Sequence, residues 1–521
     1  MSARWMRPVA VAITLATIAA ACGDDRDDQA FRRDSSTFER RSSGETTTTV
    51  DQTEGIDLDG VPEADQDDVI IEAAIGEVEK FWEENFDDVV GGEFVPVSGG
   101  FFPYGPNREL PTCGTRFRYE QIAENAFYCP IDDLIAWDTD NLTNDMLERF
   151  GPFTLVIVMA HEYGHAVQTR GALNPQLPTI AGEQQADCFA GAFTAYVNDG
   201  ESDVLAVSID DLDRAVAGFL SLRDEIGTDT ESEGAHGSGF DRVGAFQDGF
   251  LNGAETCAEY EDIFESGEST AVDIPFVDET GQVRQLDAPF DPADPDSIFL
   301  LTLGSLETFW ASALEEQFGE EWTPLFQDER VIAFDPEDPD SLPECPGEEI
   351  DLDDAAGQAF ACFGDEDDPD DDFIAFDLRR AAELYENIGD FAVSGFLARQ
   401  YSYVAQQIIG DLEDDKDSFL QADCFSGAWT DALRAGQRLL SPDFDDADGG
   451  QNSVTLSAGD LDEAIQSFLL VGDDGDTERT GSPFERAAAF RDGFFNGLES
   501  CATYLEDGAP SAEEGVPSQD D

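Results

Sequence analysis

Lysine is almost missing from this chain: it occurs only at Lys80 and Lys416, and Lys and Arg together number 27 against 116 Asp and Glu, a formal net charge of −89. A surface of that sign repels phosphate backbones and anionic headgroups, which excludes nucleic-acid binding and a polybasic membrane contact and leaves neutral or cationic partners. Histidine is scarce too, with three in 521 residues, so any imidazole chemistry is confined to His161, His165 and His236. The N-terminal apolar run, Val9 to Ala21, is too short to span a bilayer comfortably and reads as the core of a signal peptide behind Arg4 and Arg7.

What is present begins with export. The run ends Ala19-Ala20-Ala21-Cys22, which resembles a bacterial lipobox in which Cys22 is acylated and becomes the mature N-terminus. Residues 23–67 are rich in Asp, Arg, Ser, Thr and Gly and lack apolar periodicity, the pattern of a flexible tether. The expectation is a protein on the outer face of the bacterial cytoplasmic membrane, in contact with it through the lipid anchor alone, or a secreted one if Cys22 is not acylated. The acid excess reads as a solvated surface, and the run Asp365 to Asp372 as at most a weak calcium attractor.

The chain also repeats itself. His236 to Cys257 aligns without gaps to Thr480 to Cys501, with 13 of 22 positions identical. Gln185-Ala186-Asp187-Cys188-Phe189 recurs as Gln421-Ala422-Asp423-Cys424-Phe425, and Ile135-Ala136-Trp137-Asp138 as Ile374-Ala375-Phe376-Asp377. Constant order and nearly constant offset point to duplication of a unit of about 200 residues. The expected organisation is a signal peptide and lipobox at 1–22, the tether at 23–67, one copy at 68–265, a linker at 266–294, a second copy at 295–506 and an acidic tail at 507–521.

The cysteines follow the same plan. Apart from Cys22 there are four per copy: Cys113, Cys129, Cys188 and Cys257, then Cys345, Cys362, Cys424 and Cys501. Even numbers in an exported chain favour disulfides over metal thiolates. Four cysteines allow three connectivities. The favoured one joins the two that are close in sequence, Cys113 with Cys129 and Cys345 with Cys362, which leaves Cys188 with Cys257 and Cys424 with Cys501.

Gly151-Pro152 opens an apolar stretch that runs through His161-Glu162-Tyr163-Gly164-His165 and stops near Gly171, the pattern of a buried helix with Pro at its start and Gly past its end. On that helix His161 and His165 stand one turn apart on one face, which suits two imidazoles converging on tetrahedral zinc, with Glu162 beside the open position. Eighteen residues beyond His165 comes Glu183, and one turn later Asp187. Glu183 completes a His, His, Glu set. Asp187 is placed to accept the other ring N–H of His161 and fix its tautomer. The bland alternative is two satisfied core histidines beside a carboxylate.

The repeat supplies an internal control. The second copy reads Arg399-Gln400-Tyr401-Ser402-Tyr403 where the first has the HEYGH motif, Phe419 where the first has Glu183, and Thr480 where the first has His236. Tyr163 reads as core, because Tyr401 persists in the copy without the histidines.

Cys113-Gly114, Phe127-Tyr128-Cys129-Pro130, the HEYGH helix, Glu183 with Gln185-Ala186-Asp187-Cys188-Phe189-Ala190-Gly191, and His236-Gly237-Ser238 with Arg242 resemble the neutral zinc metallopeptidases, with Ala166 departing from the His that many relatives carry. The resemblance implies an α+β, mainly helical, zincin-like fold, here in two tandem copies, with Glu183 as third ligand. It implies one zinc ion per chain, a peptide or protein substrate, and a metalloendopeptidase in which Glu162 is the general base. His236 is a candidate for stabilising the oxyanion, against the competing reading of a structural histidine in a glycine turn. The rival functions are an inactive scaffold at the cell surface and a zinc hydrolase of a non-peptide bond.

Overall fold

The computed structural model describes residues 66–171, 179–223, 236–260, 271–272, 274, 287–292, 294, 296–346, 350–364, 371–410, 412–434, 456–457, 459–470, 477–502 and 504. The signal peptide, Cys22, nearly all of the tether, much of the expected linker, part of the acidic run and the acidic tail lie outside them. Among the described residues no helix is long and apolar enough to cross a membrane.

The first half opens with α1 (Gln66–Val89), whose Ile71, Ala74, Val78 and Trp82 recur at helical spacing and are buried. Three short strands follow, β1 (Gly100–Tyr104), β2 (Ala126–Cys129) and β3 (Leu134–Asp138). They form a sheet in the order β1-β3-β2, with β1 parallel and β2 antiparallel to the central β3. Helices α2 (Asn144–Phe150), α3 (Pro152–Gly171), α4 (Thr179–Asn198), α5 (Ile209–Leu220), α6 (Gly239–Asn252) and α7 (Ala254–Ala258) complete this half. The second half runs α8 (Ile298–Ala313), β4 (Val331–Phe334), α9 (Leu352–Ala355), β5 (Ala359–Cys362), β6 (Phe373–Asp377), α10 (Leu378–Asn387), α11 (Asp390–Ile409), α12 (Lys416–Arg434), α13 (Asp460–Leu470), α14 (Thr477–Thr480) and α15 (Pro483–Cys501). Its sheet has the order β4-β6-β5, again with one parallel and one antiparallel neighbour to the central strand. The whole is mainly helical with small sheets, in keeping with an α+β metallopeptidase domain.

Helix α3 begins as its sequence dictates. Gly151, at φ 88°, turns the chain, and Pro152 takes the first helical position, where no amide hydrogen is needed. The helix is buried on nearly every side from Phe153 to Val167, and Gly164 lets it cross α4 closely: a Cβ there would sit 3.0 Å from the Ala186 Cα. Helices α4 and α6 approach more closely still, because Gly191 faces the Phe246 carbonyl and Gly249 the Cys188 carbonyl. Gly427 and Gly493 do the same between α12 and α15. The disulfides join Cys113 to Cys129, Cys188 to Cys257, Cys345 to Cys362 and Cys424 to Cys501, the partners that the cysteine spacing favours.

The described residues of the two halves share one hydrophobic core. The seam lies where α5 and α6 meet α13 and α15. Gln247 donates to the Phe484 carbonyl at 3.0 Å, and the Phe484 amide donates to Asp213 at 2.9 Å. The Phe240 amide donates to Asp462 at 2.8 Å, and Phe246 meets Phe484 edge to face.

Candidate metal centre

Helix α3 delivers His161 and His165 one turn apart, and α4 crosses it to bring Glu183 opposite. The two Nε2 atoms are 3.2 Å apart; Glu183 lies 3.2 Å from His161 Nε2 through Oε2 and 3.4 Å from His165 Nε2 through Oε1. The other ring nitrogens are committed: His161 Nδ1 is 2.6 Å from Asp187 Oδ1, and His165 Nδ1 is 3.0 Å from Gln168 Oε1. With the Nδ1 atoms turned to Asp187 and Gln168, the two Nε2 atoms are left facing the Glu183 carboxylate.

That donor set fits zinc. A tetrahedral ion with bonds of roughly 2.0–2.1 Å to nitrogen and oxygen separates its ligand atoms by about 3.3–3.4 Å, and the three measured edges are 3.2, 3.2 and 3.4 Å. Three acceptors at such distances repel one another unless a cation or proton sits among them. The local field agrees. Burial disfavours the His161 imidazolium, but the Asp187 and Glu183 carboxylates outweigh it and raise its pKa to about 10. Burial likewise works against the Glu183 carboxylate, yet His165 and His161 hold it well below the usual carboxylate range.

The supporting residues come from further away in sequence. Asp187 is fully buried and receives two hydrogen bonds from Arg242 on α6, both 2.9 Å long. Gln168 donates to the Gly182 carbonyl at 2.6 Å and to Gln185 at 3.1 Å, so the residue that orients His165 also ties α3 to the start of α4. The Cys188–Cys257 bridge fixes α4 against α7. Tyr163 is core, as its retention in both halves implies, with its hydroxyl 3.0 Å from Glu79.

The ligand set floors a cleft of about 600 Å³ that also takes in Glu162, Tyr128, His236, Arg223 and Arg242. Glu162 is buried, and its Oε2 accepts the Tyr128 amide at 2.8 Å. His236 lines this cleft beside Gly237, at φ 100°. Residues 42–260 match the model of a family described as putative neutral zinc metallopeptidase. Within those residues the chain is similar to that family. Curated relatives include uncharacterized proteins of Mycobacterium bovis and of two Mycobacterium tuberculosis strains. Each is 30% identical over 151 residues, covering 24% of this chain and 52% of the relative. The chain thus spans about half the length of the curated relatives it matches, and no solved structure matches it.

The family that residues 42–260 match implies zinc, and His161, His165 and Glu183 are the one place where two imidazoles and a carboxylate converge among the described residues. Two members of the cleft were not legible beforehand. Gln168 had a signal, because Gln406 repeats it, but nothing in the repeat says that it holds a ligand histidine. Arg223 had none: it is held from the second half, its Nε 3.0 Å from Asp462 Oδ2.

Proposed function

We propose that the first half is a zinc-dependent endopeptidase and that the second is a degenerate copy without a metal site. The carrying observation is the convergence of His161, His165 and Glu183 at tetrahedral spacing with Glu162 buried beside them. Zinc, when bound, supplies Lewis acidity toward the scissile carbonyl and toward water. The chain supplies the rest. Glu162 is pinned through Oε2 by the Tyr128 amide, which leaves its other oxygen to take a proton from the attacking water and return it to the leaving amine. β2 is an edge strand, and Ala126 to Tyr128 line the cleft, so a substrate in extended conformation finds main-chain partners there. His236 on the cleft wall is the candidate donor to the developing oxyanion. An oxidising compartment suits the four disulfides, and we place the protein outside the cytoplasm, anchored through Cys22.

The test is zinc content together with cleavage of an unbiased fluorogenic peptide library. Glu162→Gln should keep one zinc per chain and lose roughly 10²- to 10⁴-fold in activity, since only the base is removed. His161→Ala should lose both. Two zinc ions per chain, or full activity in Glu162→Gln, would overturn the assignment. Zinc without cleavage of any peptide would turn it toward a non-peptide bond.

A further inference from the structure

Tyr128 is held by α3 at both of its ends. Its amide donates to Glu162 Oε2 at 2.8 Å, and its hydroxyl accepts from Arg170 at 3.3 Å, about two turns further along the same helix. The hydroxyl also donates to Asp133 Oδ1 at 2.9 Å. Arg170 itself donates to Asp133 Oδ1 at 2.8 Å, to the Pro96 and Ala166 carbonyls at 3.0 Å each, and to the Val95 carbonyl. These contacts use all five N–H groups of the guanidinium and leave none for a substrate. Asp133 Oδ2 accepts the Ser98 amide at 2.8 Å and the Ser98 hydroxyl at 2.7 Å. One carboxylate thus gathers the approach to β1, the strand β2 and the end of α3. Burial works against its ionised form, but the Ser98 groups, Arg170 and the Tyr128 hydroxyl outweigh it and lower its pKa to about 2.

Strand β2 needs such a hold. It is four residues long and pairs on one side only, with β3. The Asp138 amide donates to the Asn125 carbonyl, which sets the antiparallel alternation: Phe127 and Cys129 exchange bonds with β3, and the Tyr128 amide faces the open edge, where Glu162 accepts it. An amide on a short edge strand is a loose anchor for a flexible carboxylate side chain unless the strand is itself tied down.

The second half shows the scaffold without this tie. Ala359-Phe360-Ala361-Cys362 aligns with Ala126-Phe127-Tyr128-Cys129, and the register of β5 on β6 repeats that of β2 on β3, with the Ala361 amide again at the open edge. Yet Ala361 stands for Tyr128, Ile408 for Arg170 and Gln400 for Glu162, whereas Asp372 keeps the place of Asp133. Helix α11 and the β4-β6-β5 sheet form regardless. The tyrosine and the arginine are therefore not what this fold requires, and they are missing from the half that also lacks the candidate base.

We propose that Tyr128, Arg170 and Asp133 are positioning residues for Glu162: they clamp β2 to α3 and so fix the amide that holds one oxygen of the base and leaves the other to the cleft. The catalytic consequence rests on the peptidase reading; the clamp does not.

Two measurements on the full chain test it. Hydrogen exchange resolved to single amides reads the clamp without a substrate. The Tyr128 amide should exchange about tenfold faster in Arg170→Ile, which puts the residue of the second half there, and about threefold faster in Tyr128→Phe, which deletes only the hydroxyl. Arg170→Lys keeps a cation beside Asp133 and should recover part of the protection. Peptide cleavage reads the consequence. Arg170→Ile should lower kcat about tenfold, with KM within about twofold and zinc content unchanged. In the Glu162→Gln background it should change the residual cleavage by less than about twofold, because the group it steadies is gone. Tyr128→Phe carries both measurements should Arg170→Ile misfold. An equal loss of cleavage in both backgrounds would reveal a role in stability alone and overturn the proposal, as would unchanged Tyr128 exchange in Arg170→Ile and Tyr128→Phe. Faster Tyr128 exchange in a chain that cleaves no peptide would leave the clamp standing and count against the peptidase reading alone.

Discussion

The two halves bury the same carboxylate and satisfy it differently. In the first, Asp187 holds Arg242 and the His161 ring; in the second, Asp423 holds Arg486 and Arg399, the residue that stands where His161 does. What the scaffold requires at this point is one cationic or N–H partner from the long central helix and one from the last helix. A histidine meets that requirement with one nitrogen and keeps the other for a metal, whereas an arginine has donors only and no lone pair to offer a metal. One turn on, His165 opposite Glu183 is replaced by Tyr403 against Phe419, edge to face with centroids 5.5 Å apart. An aromatic contact thus joins the two helices that a shared ion would otherwise tie. The candidate ligand and base positions changed while Asp, Cys, Gln and the close-packed glycines stayed, because those hold helices together in either half.

The comparison breaks most readily at the buried carboxylates. Asp423→Ala should destabilise the protein by about 3–5 kcal/mol, the cost of removing one partner from a buried ion pair, and leave zinc content unchanged. Asp187→Ala should cost as much and in addition lower zinc affinity about 10- to 100-fold. Urea unfolding and zinc titration of both variants check this; a tolerated Asp423→Ala would show that the pairing requirement is not general.

A second difference lies in acids that only the second half buries. Asp390 and Glu463 stand where the first half has Pro152 and Arg214. Burial, then Asp287, raises Asp390 to about 6, and burial with the neighbouring carboxylates puts Asp460 and Glu463 well above the usual range. Folded-state values above the unfolded ones mean that these groups favour folding while protonated. Their contribution is complete below about pH 4 and is lost as pH rises through the folded values. Asp133, lowered to about 2, acts in the opposite sense, but only below pH 4. Stability should therefore fall from pH 5 to pH 8, and Asp390→Asn should flatten the profile. Chemical unfolding across that range measures it, and a profile rising with pH would count against this account.

The smallest effect should separate paired glutamines. Gln168 meets Gln185 at 3.1 Å and Gln406 meets Gln421 at 2.7 Å, but only Gln168 also meets a histidine nitrogen. Gln168→Ala should weaken zinc binding about tenfold, while Gln406→Ala should cost about 1 kcal/mol of stability and leave zinc alone.

Local pattern carried much of this molecule. One-turn spacing put His161 and His165 on one face and Glu183 one turn before Asp187, and the helix beginning at Pro152 follows from a residue whose φ is preset. The repeat marked which positions differ between halves, and cysteine spacing favoured the disulfide partners. These are properties of neighbours in sequence, and sequence records neighbours. Contacts between elements distant in the chain were decided only on folding. Arg242 reaches Asp187 because glycines let α4 and α6 approach, Asp462 holds Arg223 in the cleft because the halves share a core, and Ala361 faces an open edge because β5 lies outermost in its sheet. Composition and periodicity specify which face of an element is buried, not which other element covers it, and that choice belongs to tertiary packing.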